Sequence, residues 1–229
     1  MSLATEITRI AGIKDNLITA IEAKNVTVPA DVTLDELPPL IDSIPTDDGS
    51  YRDLVERDAV TPTLPEFPTG SGLKEYAFYG CTNLALTSLP YGVTSISNFT
   101  FYGCTSLALT SLPSGITSIG SYAFYQCTSL ALTSLPSGIT SINTYTFRNC
   151  SRLALTSLPS GITSIGTYAF YSCTSLTTLT FQGTPTSIPT NSFQSCTNLT
   201  IINVPWSSGA VANAPWGATN ATINYNYTP

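Results

Sequence analysis

Residues 104 to 126 read "CTSLALTSLPSGITSIGSYAFYQ", and Cys127 begins nearly the same phrase again. The six cysteines, Cys81, Cys104, Cys127, Cys150, Cys173 and Cys196, follow one another at an unbroken spacing of 23 residues. Counting from each cysteine as position 1, other columns emerge. Position 4 is Leu84, Leu107, Leu130, Leu153, Leu176 and Leu199. Position 16 is Ile96, Ile119, Ile142, Ile165, Ile188 and Val211, and position 21 is Phe101, Phe124, Phe147, Phe170, Phe193 and Trp216. Position 9 carries Leu89, Leu112, Leu135, Leu158, Phe181 and Val204.

Apolar identity held at a period of this length marks a leucine-rich-repeat solenoid. One 23-residue coil is too small to bury its own apolar side, so coils stack and their side chains form continuous columns. Within a coil, "LALTSLP" is expected as a short strand ended by proline. "SGITSI" is expected as a turn and a second extended piece, and "SYAFYQC" as one helical or 3₁₀ turn. Strands pairing in parallel from coil to coil repeat at about 4.8 Å, so seven coils rise roughly 30 Å.

Residues 158 to 173, "LPSGITSIGTYAFYSC", closely resemble the BspA-type leucine-rich repeat, a 23-residue class with the core "LxxIxLPxxVTxIGxxAFxxC". The resemblance covers about residues 76 to 204 and implies a solenoid of short parallel strands plus one helical turn per coil. One departure stands out. "LALTSLP" places leucine at position 6, where the family favours an apolar residue at position 7. The fifth and sixth coils, "LTTLTFQG" and "LTIINVPW", return to the family spacing. The facing of Thr87, Thr110, Thr133 and Thr156, and of the serines beside them, is open at this level. A flat exposed threonine lattice would suit ice; columns that only support strand pairing are the alternative.

The array is expected to span 58–229, with a degenerate N-terminal coil at 58–80 and a C-terminal cap at 205–229 that retains Trp206 and Trp216. Solenoids need such caps to shield their open ends. Ahead of it lie a linker at 45–57 containing "PTDDGS" and a helical module at 1–44. In that module Ile7, Ile10, Leu17 and Ile21 belong to an apolar stripe at helical spacing, and Thr33 with Glu36 forms a capping box for a second helix. The stripe is expected to serve oligomerisation or docking, as a coiled coil or by the two helices folding on each other.

Three roles compete for the cysteines. A disulfide ladder needs Cβ atoms about 3.5–4.5 Å apart with side chains facing each other, whereas stacked coils hold equivalent atoms near 4.8 Å and in parallel. A zinc site needs four thiolates converging on one point, and a straight column does not converge. A buried column of small apolar thiols fits best.

Charge is scarce and uneven. Charged residues make up 10% of the chain, well below the usual quarter. All 14 acidic residues and six of the eight basic ones lie at or before Glu75, so Arg148 and Arg152 are the only charged side chains from Tyr76 onward. Such an array offers no electrostatic footprint for nucleic acid. No apolar run is long enough for membrane insertion, and "MSLATEITRI" does not read as an export signal. The chain has no histidine, and the array lacks the carboxylates that would activate its hydroxyls or bind calcium. Catalytic residues, a metal and a cofactor are therefore not expected, and the chain is not expected to be an enzyme.

What remains is a surface. Position 22 holds Tyr79, Tyr102, Tyr125, Arg148, Tyr171 and Gln194. A tyrosine stripe suits contact with sugars or protein, or it merely covers the solenoid edge. Arg148 and Arg152 either mark the contact of an anionic group or confer solubility.

The N-terminal module, "YRDLVERD" and the ending "APWGATNATINYN" together resemble tail and other virion-associated proteins of phages from Gram-positive gut bacteria. This implies a fibre or accessory component of tail or head. It would be made in the host cytoplasm and joined to itself, as a homo-oligomer such as a trimer, or to the virion scaffold through residues 1–44. The solenoid would touch host-surface protein or glycan. The alternatives are a bacterial surface adhesin of the BspA kind and an intracellular protein-binding scaffold.

Overall fold

The computed structural model describes residues 71–228. The module 1–44 with Ile7, Ile10, Leu17 and Ile21, the linker 45–57, and residues 58–70 of the expected degenerate coil lie outside the described residues. From Ser71 onward the chain is a right-to-schedule stack: a partial coil, then six coils each opened by a cysteine.

Nine short strands are described: β1 (Ser71–Leu73), β2 (Val93–Ile96), β3 (Ser118–Ile119), β4 (Ser141–Ile142), β5 (Ser157–Leu158), β6 (Ser164–Ile165), β7 (Thr178–Phe181), β8 (Ile201–Asn203) and β9 (Thr222–Asn224). All pairings are parallel, in the sheets β1-β2-β3, β4-β6 and β5-β7-β8-β9. Registers between β2 and β8 step by one 23-residue repeat, as in Ile96 against Ile119 and Ile142 against Ile165, whereas β1–β2 contains an irregularity and β8–β9 steps by 21, Ile202 facing Ile223. The "TSI" segment is thus extended as expected, with its isoleucine inward and its serine toward solvent.

The "LALTSLP" segment departs from expectation. In the first four coils the inward residues are position 6 (Leu86, Leu109, Leu132, Leu155) and position 9, three apart. A strand turns every second residue inward, so an interval of three breaks it. Only Ser157–Leu158 is extended there, at the fourth coil. Where the sequence returns to an interval of two, with Leu179 and Phe181 inward, a four-residue strand forms with alternating burial. Thr87, Thr110, Thr133 and Thr156 are exposed as a result.

The expected helical turn is also absent: the described residues contain no helix. In the segment around each phenylalanine, alternate amides bond inside the coil and across to the next one. Tyr125 N–H donates to Tyr122 O (3.2 Å) and Cys127 N–H to Phe124 O (3.1 Å), while Phe124 N–H reaches Thr146 O (2.9 Å) and Gln126 N–H reaches Arg148 O (2.8 Å). A helix would keep all of these at home. The alternation is possible because positions 19 and 23 are left-handed, as in Tyr122 (φ 57°) and Gln126 (φ 59°). That conformation costs an L-residue about 1–2 kcal/mol, offset here by the inter-coil bonds and by ring stacking.

The core is a set of columns. Phe78, Phe101, Phe124, Phe147, Phe170 and Phe193 are fully buried and stack with centroids 5.1–5.6 Å apart. Trp216 takes the next place: Phe193 N–H donates to its carbonyl at 2.9 Å, and its indole N–H donates to Ala212 O at 2.7 Å. Trp206 closes over it edge-on and meets Phe181 edge-on too, while Phe181 lies tilted against Trp216, and together they form the C-terminal cap.

A second rhythm runs through the stack. Position 20 alternates between Ala77, Ala123 and Ala169 and the buried hydroxyl residues Thr100, Thr146 and Ser192. The Thr100 hydroxyl shares its hydrogen between Lys74 O and Ser97 O, the Thr146 hydroxyl between Gly120 O and Asn143 O, and Ser192 donates to Gly166 O. The alanine coils carry Gly120 and Gly166 at position 17, where a Cβ would overlap the backbone nitrogen of Asn98 and of Thr144 in the preceding coil.

Candidate functional site

The left-handed residues at position 19 are aromatic in five successive coils: Tyr76, Phe99, Tyr122, Tyr145 and Tyr168. Their backbone conformation aims the rings beside those of position 22. Two adjoining columns result. Along position 19 the centroids are 5.1, 4.7, 4.7 and 5.3 Å apart. Along position 22, Tyr79, Tyr102 and Tyr125 follow at 4.7 and 4.5 Å, with planes within 9°. Cross-contacts such as Tyr122 to Tyr125, at 5.9 Å, tie the columns together.

Tyr79, Tyr102, Tyr125 and Tyr171 are thus all partly exposed members of one ridge. Position 19 is the other half of that ridge. Its recurrence every 23 residues was visible, but nothing in the residue types announces a left-handed tyrosine. The sugar-stacking role meets a physical obstacle, because the ring faces inside the columns are taken by neighbouring rings. The ridge presents ring edges and phenol hydroxyls instead.

Arg148 interrupts the position 22 column and is held inside it. Its Cζ lies 4.7 Å from the centroid of Tyr171, 5.2 Å from Tyr145, 5.6 Å from Tyr125 and 5.7 Å from Tyr168. A planar guanidinium stacks where a ring would otherwise sit. Its Nε is buried and makes no hydrogen bond. The only carboxylate side chain among the described residues, Glu75, is three coils away along the chain. Arg152 is exposed, and Gln194 ends the column, also exposed.

Burial, reinforced by the neighbouring tyrosines, pushes the Tyr102 phenol above its ordinary value. Tyr122 shifts the same way, chiefly by burial, with Arg148 opposing. These two hydroxyls therefore stay protonated at neutral pH, able to donate and accept. Among the described residues no three His, Cys, Asp or Glu side chains gather to hold a metal ion, and no helix is long and apolar enough to cross a membrane.

The chain belongs to the BspA-type leucine-rich-repeat family, whose pattern matches residues 71–206 in six copies. It is similar to a leucine-rich-repeat protein of T. pallidum, with 31% identity, a TM-score of 0.50, and coverage of 59% of this chain and 65% of that one. The pneumococcal vaccine antigen PcpA shares 21% identity at a TM-score of 0.51, over 63% of this chain and 36% of its own. A leucine-rich cell surface protein from Faecalibacterium prausnitzii A2-165 shares 22% identity at a TM-score of 0.31, over 66% of this chain and 62% of its own. The chain thus spans less than two thirds of each of these relatives. A search of curated proteins finds no match.

Proposed function

We propose that this chain is a non-enzymatic adhesion protein whose solenoid contacts host-surface protein or glycan through the tyrosine ridge. The observation that carries the reading is the double aromatic column itself: at least nine rings, from Tyr76 to Tyr171, brought to one partly exposed face. Aromatic residues of this kind supply contact area at low conformational cost. Residues 1–44 attach the solenoid to a larger assembly, as a homo-oligomer or on a scaffold. The assembly proposed is a phage virion, with the chain as a fibre or accessory component of tail or head. Support for that step is the resemblance of the N-terminal module and the C-terminal ending, and it lies in the sequence alone.

The test is mass spectrometry of phage particles purified from an induced source culture, with the cell-envelope fraction run beside them. Enrichment in particles supports the virion reading. Presence in the envelope alone overturns it and leaves a BspA-like bacterial surface adhesin. The ridge is tested separately by binding of the labelled full chain to host cells, which Tyr122→Ser combined with Tyr125→Ser is expected to weaken.

A further inference from the structure

We propose that the partner of the ridge is an acidic polysaccharide, with one of its carboxylate or sulfate groups seated on Arg148. The inference rests on the adhesion reading above and narrows it to one ligand class.

Arg148 is a cation in a stretch without a single carboxylate side chain. Four tyrosine rings surround it, and they fix the guanidinium plane while neutralising none of its charge. Its Nε is already withdrawn from water without a partner. An anion arriving at the remaining N–H groups meets a donor fork whose orientation is set beforehand, so little side-chain entropy is lost on binding. Arginine pairs with carboxylate and sulfate-like oxyanions by two parallel hydrogen bonds.

A protein partner needs apolar anchors that bury in desolvated pockets. Of the exposed large apolar side chains described, Tyr76, Tyr91, Ile201 and Tyr227, only Tyr76 belongs to the ridge, so they form no cluster there. The ridge offers rows of hydroxyls repeating every 4.5–5.3 Å, the centroid spacing of its rings. A polyhydroxylated chain can follow such a row, exchanging hydrogen bonds as donor and acceptor along it. The single cation then reads the acidic unit.

The other coils suggest the decisive variant. Tyrosine occupies position 22 in the coils on both sides, so Arg148→Tyr completes the ladder while removing the charge. The full chain is titrated with polygalacturonate, with its carboxyl-reduced neutral counterpart, and with dextran sulfate. Binding to at least one acidic polymer is expected, weakening as salt is raised, with at least about tenfold less affinity for the neutral polymer. Arg148→Tyr should lose about tenfold or more for the acidic polymer while keeping its unfolding midpoint, and Arg152→Gln should change affinity by less than about threefold. Preference for carboxylate over sulfate, or the reverse, identifies which acidic group is read.

Equal binding to neutral and acidic polymers, no binding to either acidic one, or an unaffected Arg148→Tyr overturns the inference. Host-cell binding by the same variant separates the two proposals. If Arg148→Tyr still binds cells while Tyr122→Ser with Tyr125→Ser does not, adhesion through the ridge stands and the acidic ligand falls.

Discussion

The thiol of Cys127 lies 3.0 Å from the carbonyl oxygen of Phe101, 26 residues earlier in the chain, and that oxygen also accepts the Cys104 N–H at 3.1 Å. The same contact recurs from Cys104 to Phe78, Cys150 to Phe124, Cys173 to Phe147 and Cys196 to Phe170, at 2.9–3.0 Å. Each of these five cysteines is therefore more than filler. It brings a weak donor to the second lone pair of a buried carbonyl, at the point where the chain bends out of the aromatic column.

Cys127→Ala removes that donor and leaves a void. The expected loss is about 1–3 kcal/mol, read from the urea midpoint at unchanged slope. Cys127→Ser keeps a donor and is expected to recover part of it. All six cysteines are buried, so a thiol reagent should label essentially none in the native chain and six after unfolding. Rapid labelling of the native protein would sink this account of the column.

Gly120 and Gly115 are one coil's two glycines with opposite prospects. At Gly120 a Cβ overlaps the backbone of Ser97 and Asn98, atoms that cannot swing aside, whereas at Gly115 the nearest atom is Val93 O at an ordinary 3.8 Å. Gly120→Ala is expected to cost about 1–3 kcal/mol through forced separation of coils. Gly115→Ala should fall within about 0.5 kcal/mol of the parent. Thermal unfolding of the two variants side by side decides it, and equal midpoints would contradict the close approach.

Alkaline pH should loosen the stack before it affects an ordinary globular surface. Burial pushes the thiols of Cys104, Cys127, Cys150 and Cys173 up, and that of Cys196 up to about 12. Unfolded thiols ionise near about 8.5. The folded state then holds protons that the unfolded state releases, so this stability is intact below pH about 8.5 and falls as pH rises from there toward the folded values. Each thiol contributes a slope of up to about 1.4 kcal/mol per pH unit. Tyr102 and Tyr122, also shifted up, add to it above pH about 10. Urea midpoints at pH 7, 9 and 10 should decline, and Cys127→Ala should decline less steeply. A midpoint that holds level to pH 10 would count against the burial of these thiols.

Much of this was legible in the repeat. The columns at positions 1, 4, 16 and 21 are all buried as their apolar identity required, because a fixed period leaves each residue type only one environment. The leucine at position 6 was visible as a departure, but its consequence, loss of the strand, follows only when Leu86 and Leu89 are both seen to face inward. The left-handed tyrosines escaped detection for a different reason. Residue type argues against that conformation, and the inter-coil hydrogen bonds that override the preference are tertiary. Arg148 was legible as an isolated cation, yet its enclosure by four rings depends on the position 19 column that the sequence reading overlooked.

The alternation at position 20 bears on how such an array can change length. Near-identical 23-residue units invite gain and loss of copies by unequal recombination, and each unit alone looks interchangeable. They are not interchangeable in the stack. Excising the coil that carries Gly120 and Ala123 brings Asn143 against the backbone that only Gly120 had room to approach. Removing two successive coils restores the original neighbours. Loss of a pair therefore leaves every contact of this kind unchanged, whereas loss of the single coil that carries Gly120 forces a side chain into the close approach.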